Sequence, residues 1–340
     1  MISNRTVWVL ADDRAGHANQ ALGVADALAC DYHVKALRYN RVSLLPNLLL
    51  GAGFGHLTEQ VREELRQPWP DIVIAAGRRT APVARAIKRH GGGRPFLVQC
   101  MWPEAGVDNF DLIAVPAHDS KPQRPNVIET VGAPHRMTRA RLAAAAKSWG
   151  VRIGGLPRPR LALLVGGNTR GHRFDAAAAR VLAERVGQLH QALGGSLLVT
   201  TSRRTTPEAR NTLYRTLRPT HRFDWGQDEQ DNPYEAYLAL SDAVVVTGDS
   251  TAMCTEACAT GRPVYIDAPT GATAAKHKAL HARLQELGFA RPLDDAVAAG
   301  AIEPWQYQPL DDAAMVASEA LRRFGTRREG ILTNRRSSLT

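Results

Sequence analysis

Short apolar runs alternate with longer amphipathic stretches along the whole chain. "TVWVLA" (6–11) reads as a strand and 18–30 as a helix. "YHVKALRY" (32–39) is a strand, 56–66 a helix, "DIVIAA" (71–76) a strand and 80–89 a helix. "PFLVQC" (95–100), "DLIAVP" (111–116) and "NVIETVG" (126–132) follow as strands, then a helix over 138–149. "GVRIGGLPRPR" (150–160), rich in Gly, Pro and Arg, interrupts the pattern and reads as a linker. The alternation restarts with strand "LALLVG", helix 174–193, strand "SLLVTT", helix 207–217 and a short helix at 233–239. Strand "AVVVTG", helix 251–259, strand "PVYID", helix 275–287 and a last helix at 311–324 complete it. Strands alternating with helices across short loops predict parallel sheets wrapped on both faces. The expected fold is α/β: two facing Rossmann-like domains at 1–150 and 161–325, a linker at 151–160, a C-terminal helix and a basic tail at 326–340.

Composition narrows the class. The 340 residues are 44% hydrophobic and 22% charged, the profile of a soluble globular protein. No apolar run reaches the ~20 residues of a spanning helix. The start, "MISNRTVWVLADDR", lacks a basic region followed by a long apolar one, so a cytoplasmic location is expected. Four Cys do not make a disulfide framework; buried thiols in a reducing compartment are expected. The net charge is +10, and residues 321–340 carry half of it, with six Arg against one Glu. That tail reads as a solvated end; its functional alternative is peripheral contact with the anionic inner face of a membrane. Elsewhere the Arg residues fall in loops after strands, which suits small anionic ligands and not nucleic acid.

Two paired motifs hint at an internal repeat. "AGRRTAPVAR" (76–85) and "TSRRTTPEAR" (201–210) share RRT-x-P-x-AR, and "DRAGH" (13–17) corresponds to "NTRGH" (168–172). Both halves are therefore expected to present similar loops at the C-terminal ends of their strands, where open α/β sheets bind ligands.

In "VVVTGDSTAMCTEACATGRPVYI" (244–266) a strand ends at Thr247-Gly248, and Asp249 or Ser250 caps the helix that begins at Thr251. The free N–H groups of that helix suit a phosphate, and Gly248 lets a ligand approach the backbone. Glu256 lies seven residues beyond Asp249, two turns on and on the same side, where it can accept hydrogen bonds from vicinal ribose hydroxyls. Taken singly, Ser250 is a plain N-cap and Glu256 a solvated helix residue. "LLVGGNTRGHRF" (163–174) offers Gly166 and Gly167 to open the backbone, and Arg170, His172 and Arg173 to neutralise phosphate. It is neither a Walker loop nor G-x-G-x-x-G. "TTSRRTTPE" (200–208) adds Ser202, Arg203 and Arg204. The three loops are expected to converge on one diphosphate-bearing ligand.

In the first domain, "DRAGHANQ" (13–20) and "GRRTAP" (77–82) are expected to face them across a cleft, with Arg14, Gly16, Asn19, Gln20, Arg78 and Arg79 on the acceptor side. His17, with an ordinary pKa near ~6.5, is the best-placed general base. Asp13 is the fallback base or the partner that orients it; the plain alternative is that His17 and Asn19 only cap the helix. "RVSLLPNLLLGAGFGHL" (41–57) reads as a core helix or loop, with a lipid- or acceptor-facing surface as the other reading.

These segments, together with "NVIETVGAPHRMT", "NPYEAYLALSDAVVVTGDSTAMCTEAC" and "GRPVYI", resemble the mitochondrial-fission elongated-mitochondria family over about residues 5–325. That family comprises plant proteins known for organelle fission and bacterial relatives usually described as glycosyltransferases. The resemblance implies a GT-B-like architecture with the donor held by the second domain, Ser250–Glu256 as the donor-binding segment and Glu256 on the ribose. It also implies that the Gly16-His17 loop lies at the acceptor side, as in the lipid-linked N-acetylglucosaminyltransferases of cell-wall synthesis, which need no bound metal. No DxD stands in a metal-binding context here. One departure is Met101-Trp102-Pro103, where members are expected to carry an Asp-Pro-Arg-like turn.

Residues and resemblance together predict a glycosyltransferase with no metal or bound cofactor and a nucleotide-diphosphate sugar as co-substrate. His17 would take the proton of a glycan or lipid-linked acceptor. Arg170, Arg203, Arg204 and the 249–251 turn would stabilise the departing diphosphate, and a cleft hinged near 150–160 would close to exclude water. Two other readings stand. A nucleotide-sugar 2-epimerase uses the same fold, with Asp13 and Glu104 offered for proton transfer. A non-catalytic adaptor would keep the nucleotide cleft and recruit partners.

Overall fold

A computed structural model describes residues 5–169, 173–226, 231–269 and 274–337, with side chains up to 327. The chain divides into two compact units. One takes in residues up to Arg136 together with those from Asp311 onward; the other is Met137–Leu310.

The first unit is built on a parallel sheet of β1 (Val7–Ala11), β2 (Tyr32–Ala36), β3 (Ile72–Ala76), β4 (Phe96–Cys100), β5 (Leu112–Pro116) and β6 (Val127–Thr130). Their order is β2-β1-β3-β4-β5-β6. The central strands β3, β4 and β5 are buried at every position, hence their unbroken apolar sequences. Successive side chains go to opposite faces. Val9, Ile74, Val98 and Leu112 pack with Val24 of the helix Ala15–Ala27; Trp8, Val73, Leu97 and Ile113 pack with Ile87 of the helix Ala81–His90.

The C-terminal helix, Asp312–Ser337, belongs to this first unit and not to the second, as the sequence boundaries implied. Its apolar side, Val316, Ala317 and Ala320, joins the core beside Val24. Phe324 meets Phe96 edge-on at 5.6 Å, and the Asp312 carboxylate accepts from the Val131 and Gly132 N–H groups at 3.1 and 2.8 Å. The helix also runs past 324 to Ser337, through most of the segment expected to be a tail.

The second unit holds β7 (Arg160–Leu164), β8 (Ser196–Thr200), β9 (His221–Phe223), β10 (Ala243–Thr247), β11 (Val264–Asp267) and β12 (Arg291–Pro292), in the order β12-β11-β10-β7-β8-β9. The helix Arg139–Trp149 packs here, through an Arg141–Glu235 ion pair and the edge of Trp149 on His221. The boundary therefore falls at 136, not at 150–160. Strands β9 and β12 escaped the apolar pattern because they are short, polar edge strands.

Both sheets reverse direction once in strand order. In the first the reversal lies between β1 and β3; in the second it lies between β7 and β10. Loops leaving two strands at such a point splay apart and leave a crevice at the carboxyl edge, where open α/β sheets bind ligands.

Candidate functional site

At the first reversal, β1 ends at Ala11 and the next residue, Asp12, turns its carboxylate fully into the protein. Asp12 Oδ2 lies 2.7 Å from His17 Nδ1, and Oδ1 accepts from Arg79 Nη2 at 2.6 Å. Arg79 arrives from the loop after β3, pairs also with Asp13, and lies 4.2 Å over the Tyr39 ring. Burial works to raise the Asp12 pKa, but the hydrogen bond from His17 and the charge of Arg79 outweigh it and hold the carboxyl at about 2. An ionised Asp12 selects the His17 tautomer that donates from Nδ1 and leaves Nε2 as the basic nitrogen. The carboxylate that orients His17 is thus Asp12; Asp13, the partner offered by sequence, sits on Arg79.

The imidazole fits only because residue 77 is glycine. Gly77 has φ +88°, and a Cβ there would lie 2.5 Å from His17 Nδ1. Behind Arg79, His56 Nε2 lies 3.0 Å from the Arg79 carbonyl oxygen, and burial pushes the His56 pKa down. The helix Ala15–Ala27 starts without a side-chain cap, so neither His17 nor Asn19 serves as one. The Arg14 carbonyl accepts from the N–H groups of His17 and Ala18. Arg14, Gly16 and Asn19 are exposed, and Gln20 is half-buried. Arg78 is not brought to the imidazole: its guanidinium donates to the Ser43 and Leu45 carbonyls and to Asn47 Oδ1. Glu104 is exposed. Asp12, Tyr39, His56 and Gly77 were missed by sequence reasoning. Only Asp12 carried a signal, as the first polar residue after a buried strand.

At the second reversal, the loops after β7, β8 and β10 do meet. Asp249 Oδ2 accepts from the Gly167 N–H at 2.9 Å and from Arg204 Nη1 at 2.8 Å. Thr247 Oγ1 accepts from the Gly166 N–H at 2.8 Å, and Ser202 Oγ donates to the Gly166 carbonyl at 2.6 Å. Gly167 has φ +155°, and a Cβ on it would lie 2.2 Å from the Arg204 carbonyl oxygen. Asp249 Oδ1 is buried and has no partner among the described residues. Ser250, not Asp249, caps the helix Thr251–Cys258, its Oγ accepting from the Met253 N–H at 3.4 Å. Gly248 lies so close to His281 that a Cβ would fall 2.4 Å from its ring. Arg203 turns to the exposed Trp225, 5.6 Å over its ring. Arg170 lies outside the described residues, as does His172.

Glu256 is buried, not solvated. It accepts from the Tyr234 hydroxyl at 2.6 Å. Burial pushes its carboxyl up to about 7, so it stands near the balance of neutral and ionised forms at physiological pH. Gly167 and Arg204, expected to meet a phosphate, are already matched by the Asp249 carboxylate. The start of the helix Thr251–Cys258 and the Arg203 guanidinium have no carboxylate partner among the described residues.

Two Rossmann-like α/β units, each on a six-stranded parallel sheet, give this chain a GT-B-like fold. The solved UDP-GlcNAc 2-epimerase of Methanocaldococcus jannaschii has this fold, at 12% identity over 97% of this chain and 99% of that one, with a TM-score of 0.57. So has the epimerase of Neisseria meningitidis bound to UDP-GlcNAc, at 13% identity over 94% of this chain and 100% of that one, with a TM-score of 0.55. The sequence profile described as "Mitochondrial fission ELM1" matches residues 15–324, and the chain belongs to that family. It is 29% identical to the mitochondrial fission protein ELM1 of Arabidopsis thaliana over 82% of this chain and 70% of that one. It is 28% identical to an uncharacterized protein of Rickettsia prowazekii over 92% of this chain and 96% of that one. No helix among the described residues is long and apolar enough to cross a membrane.

Proposed function

We propose that the protein transfers a sugar from a nucleotide-diphosphate donor to a hydroxyl acceptor. The observation that carries this reading is the Asp12–His17 pair, at 2.7 Å with the carboxylate fully buried. A fixed imidazole with a free Nε2 is what removal of a hydroxyl proton asks for. The second unit would hold the donor. Gly248, Ser250, Thr251 and the helix start behind them suit the diphosphate, and Glu256 suits the ribose. Arg203, free of any carboxylate contact in the described structure, would add positive charge as the diphosphate leaves. The neighbour solved with UDP-GlcNAc makes uridine diphosphate sugars the first donors to try.

The adaptor reading is favoured by one observation: Asp249 already neutralises Arg204 and occupies the Gly167 N–H. Thermal shift tests for the donor, and turnover with an acceptor separates the two. The full chain is heated with UDP, GDP, ADP and dTDP and their sugars, as are Glu256→Ala and His17→Ala. A ligand at ~100 times its Kd stabilises the folded state by about 2.7 kcal/mol. The expected result is a shift with one nucleotide family, lost in Glu256→Ala and kept in His17→Ala. Turnover with an acceptor should fall in His17→Ala by about a hundredfold or more. No shift with any nucleotide sinks the transferase; a shift without turnover leaves the adaptor.

A further inference from the structure

The first unit carries an apolar surface that neither its core nor the His17 cluster uses. Between β2 and β3, the side chains of Val42, Leu44, Leu45, Leu48 and Leu49 are all exposed, Leu44 by 81%, Leu48 by 83% and Leu49 by 70%. Single exposed leucines need no explanation; a cluster of this density on one short segment marks a surface that something covers.

The segment is anchored. Arg78 donates from Nη1 to the Leu45 carbonyl at 2.6 Å and from Nη2 to the Ser43 carbonyl at 2.8 Å. Asn47 Nδ2 donates to the carbonyls of Arg78 and Pro103, both at 2.7 Å. Ser43 and Asn47 are buried while the leucines beside them are not, so the usual order is inverted: polar inward, apolar outward. The backbone is held in place by its polar residues, and the leucines are left presented.

Surrounding charge identifies the occupant. Residues 32–58 contain Lys35, Arg38 and Arg41 and no Asp or Glu. Arg38 and Arg41 are exposed. Protein-binding hot spots favour Trp, Tyr and Arg anchors and are poor in Leu and Val. Here the exposed apolar side chains are all aliphatic, and the chain on either side of them, over residues 32–58, carries cations and no carboxylate. That pairing complements acyl chains beneath anionic headgroups.

We propose that residues 41–50 dock the protein on an anionic lipid leaflet, with Leu44, Leu48 and Leu49 in the acyl layer and Arg38 and Arg41 among the headgroups. The docking tip adjoins the His17 cluster through one peptide bond: Arg78 holds the tip, and Arg79 holds Asp12. The proposal does not depend on nucleotide binding.

The test is co-sedimentation of the full chain with vesicles of phosphatidylglycerol and phosphatidylcholine in equal parts, and with phosphatidylcholine alone. The chain should sediment with the anionic vesicles. Leu48→Gln combined with Leu49→Gln should lower the partition coefficient on the order of tenfold or more. Leu44→Gln alone should give a smaller loss in the same direction. Both variants should melt like the parent, since the side chains are in water. Equal partition of parent and double variant overturns the proposal. Binding kept by the leucine variants and lost in Arg335→Ser with Arg336→Ser assigns the contact to the C-terminal segment and also overturns it. A dimer that the leucine variants break, without vesicle binding, assigns the tip to a second copy and does the same.

Discussion

At the reversal of the first sheet, Arg79 reaches Asp12 from the loop of a neighbouring strand; at that of the second, Arg204 reaches Asp249 across the end of a strand lying between them. Each Arg is the second of an Arg-Arg-Thr-x-Pro segment, so the two units share a device: a buried Asp bound by that Arg. The intervening strand makes the difference. In the second unit the pair spans the exit of β7, and glycine is required there, because a Cβ on Gly166 would lie 2.3 Å from the Asp249 carboxylate. Both oxygens of Asp249 are enclosed, and its bonds tie loops together. In the first unit no strand intervenes, and the second oxygen of Asp12 is left for His17. One pairing gives a scaffold; the other gives an oriented imidazole.

The sharpest way to break this comparison is Gly167→Ala. The new methyl would overlap the Arg204 carbonyl, at a φ that only glycine adopts readily. The second unit should lose about 4 kcal/mol in urea unfolding. A loss below ~1 kcal/mol would mean that the loop can yield, and the scaffold argument would fail.

Asp12→Asn comes next. Removing the buried charge leaves Arg79 and His17 short of their partner, at about 3 kcal/mol. The pH dependence has a definite sign. The Asp12 pKa falls from 3.8 to about 2 on folding, so its contribution is present above the unfolded value and lost as pH falls through the folded one. That contribution is about 2 kcal/mol. The variant should lack this acid limb, which unfolding midpoints between those pH values would show.

Glu256 has the opposite sign. Its pKa rises from 4.5 to about 7 on folding, so stability is full below the lower value and declines as pH rises to the upper one. Glu256→Gln should remove the decline and gain about 3 kcal/mol above pH ~7, provided the amide still accepts from Tyr234. A variant with the parent's pH profile would place Glu256 in water. The smallest effect is a gain. Gly16 stands in the first turn of the helix Ala15–Ala27 with nothing within 4 Å of its missing Cβ, so Gly16→Ala should add about 0.5 kcal/mol. A loss there would mean that the turn needs the freedom of glycine.

How much could be read in advance follows the range of the interactions. Residues 72–76 and 96–100 form strands because their own apolar runs leave no other buried solution, and Ser250 caps a helix for reasons contained in five residues. Chemistry at the sheet edges was half-legible. His17, Arg79, Gly166, Arg204 and Asp249 all stand beyond the carboxyl ends of strands, as the alternation of elements implied. The choice of Asp12 over Asp13 did not follow, because two adjacent residues in a turn point apart and no periodicity ranks them. Arg78 and Arg79 were offered together for the same reason, yet one holds Ser43 and the other Asp12.

By itself, then, the sequence determined the alternation of strand and helix, the class of fold, the family, and the edge at which polar groups collect. The family rests on motifs that resemble its members along most of the chain; the rest follow from contacts within a few residues or from local periodicity. Only the tertiary structure decided that the last helix returns to the first unit, that Asp249 takes up Gly167 and Arg204, which were expected to meet a phosphate, and that five aliphatic side chains between β2 and β3 remain in water. Each of these outcomes depends on strand order and on partners far apart in the chain, and no window of neighbouring residues encodes that distance.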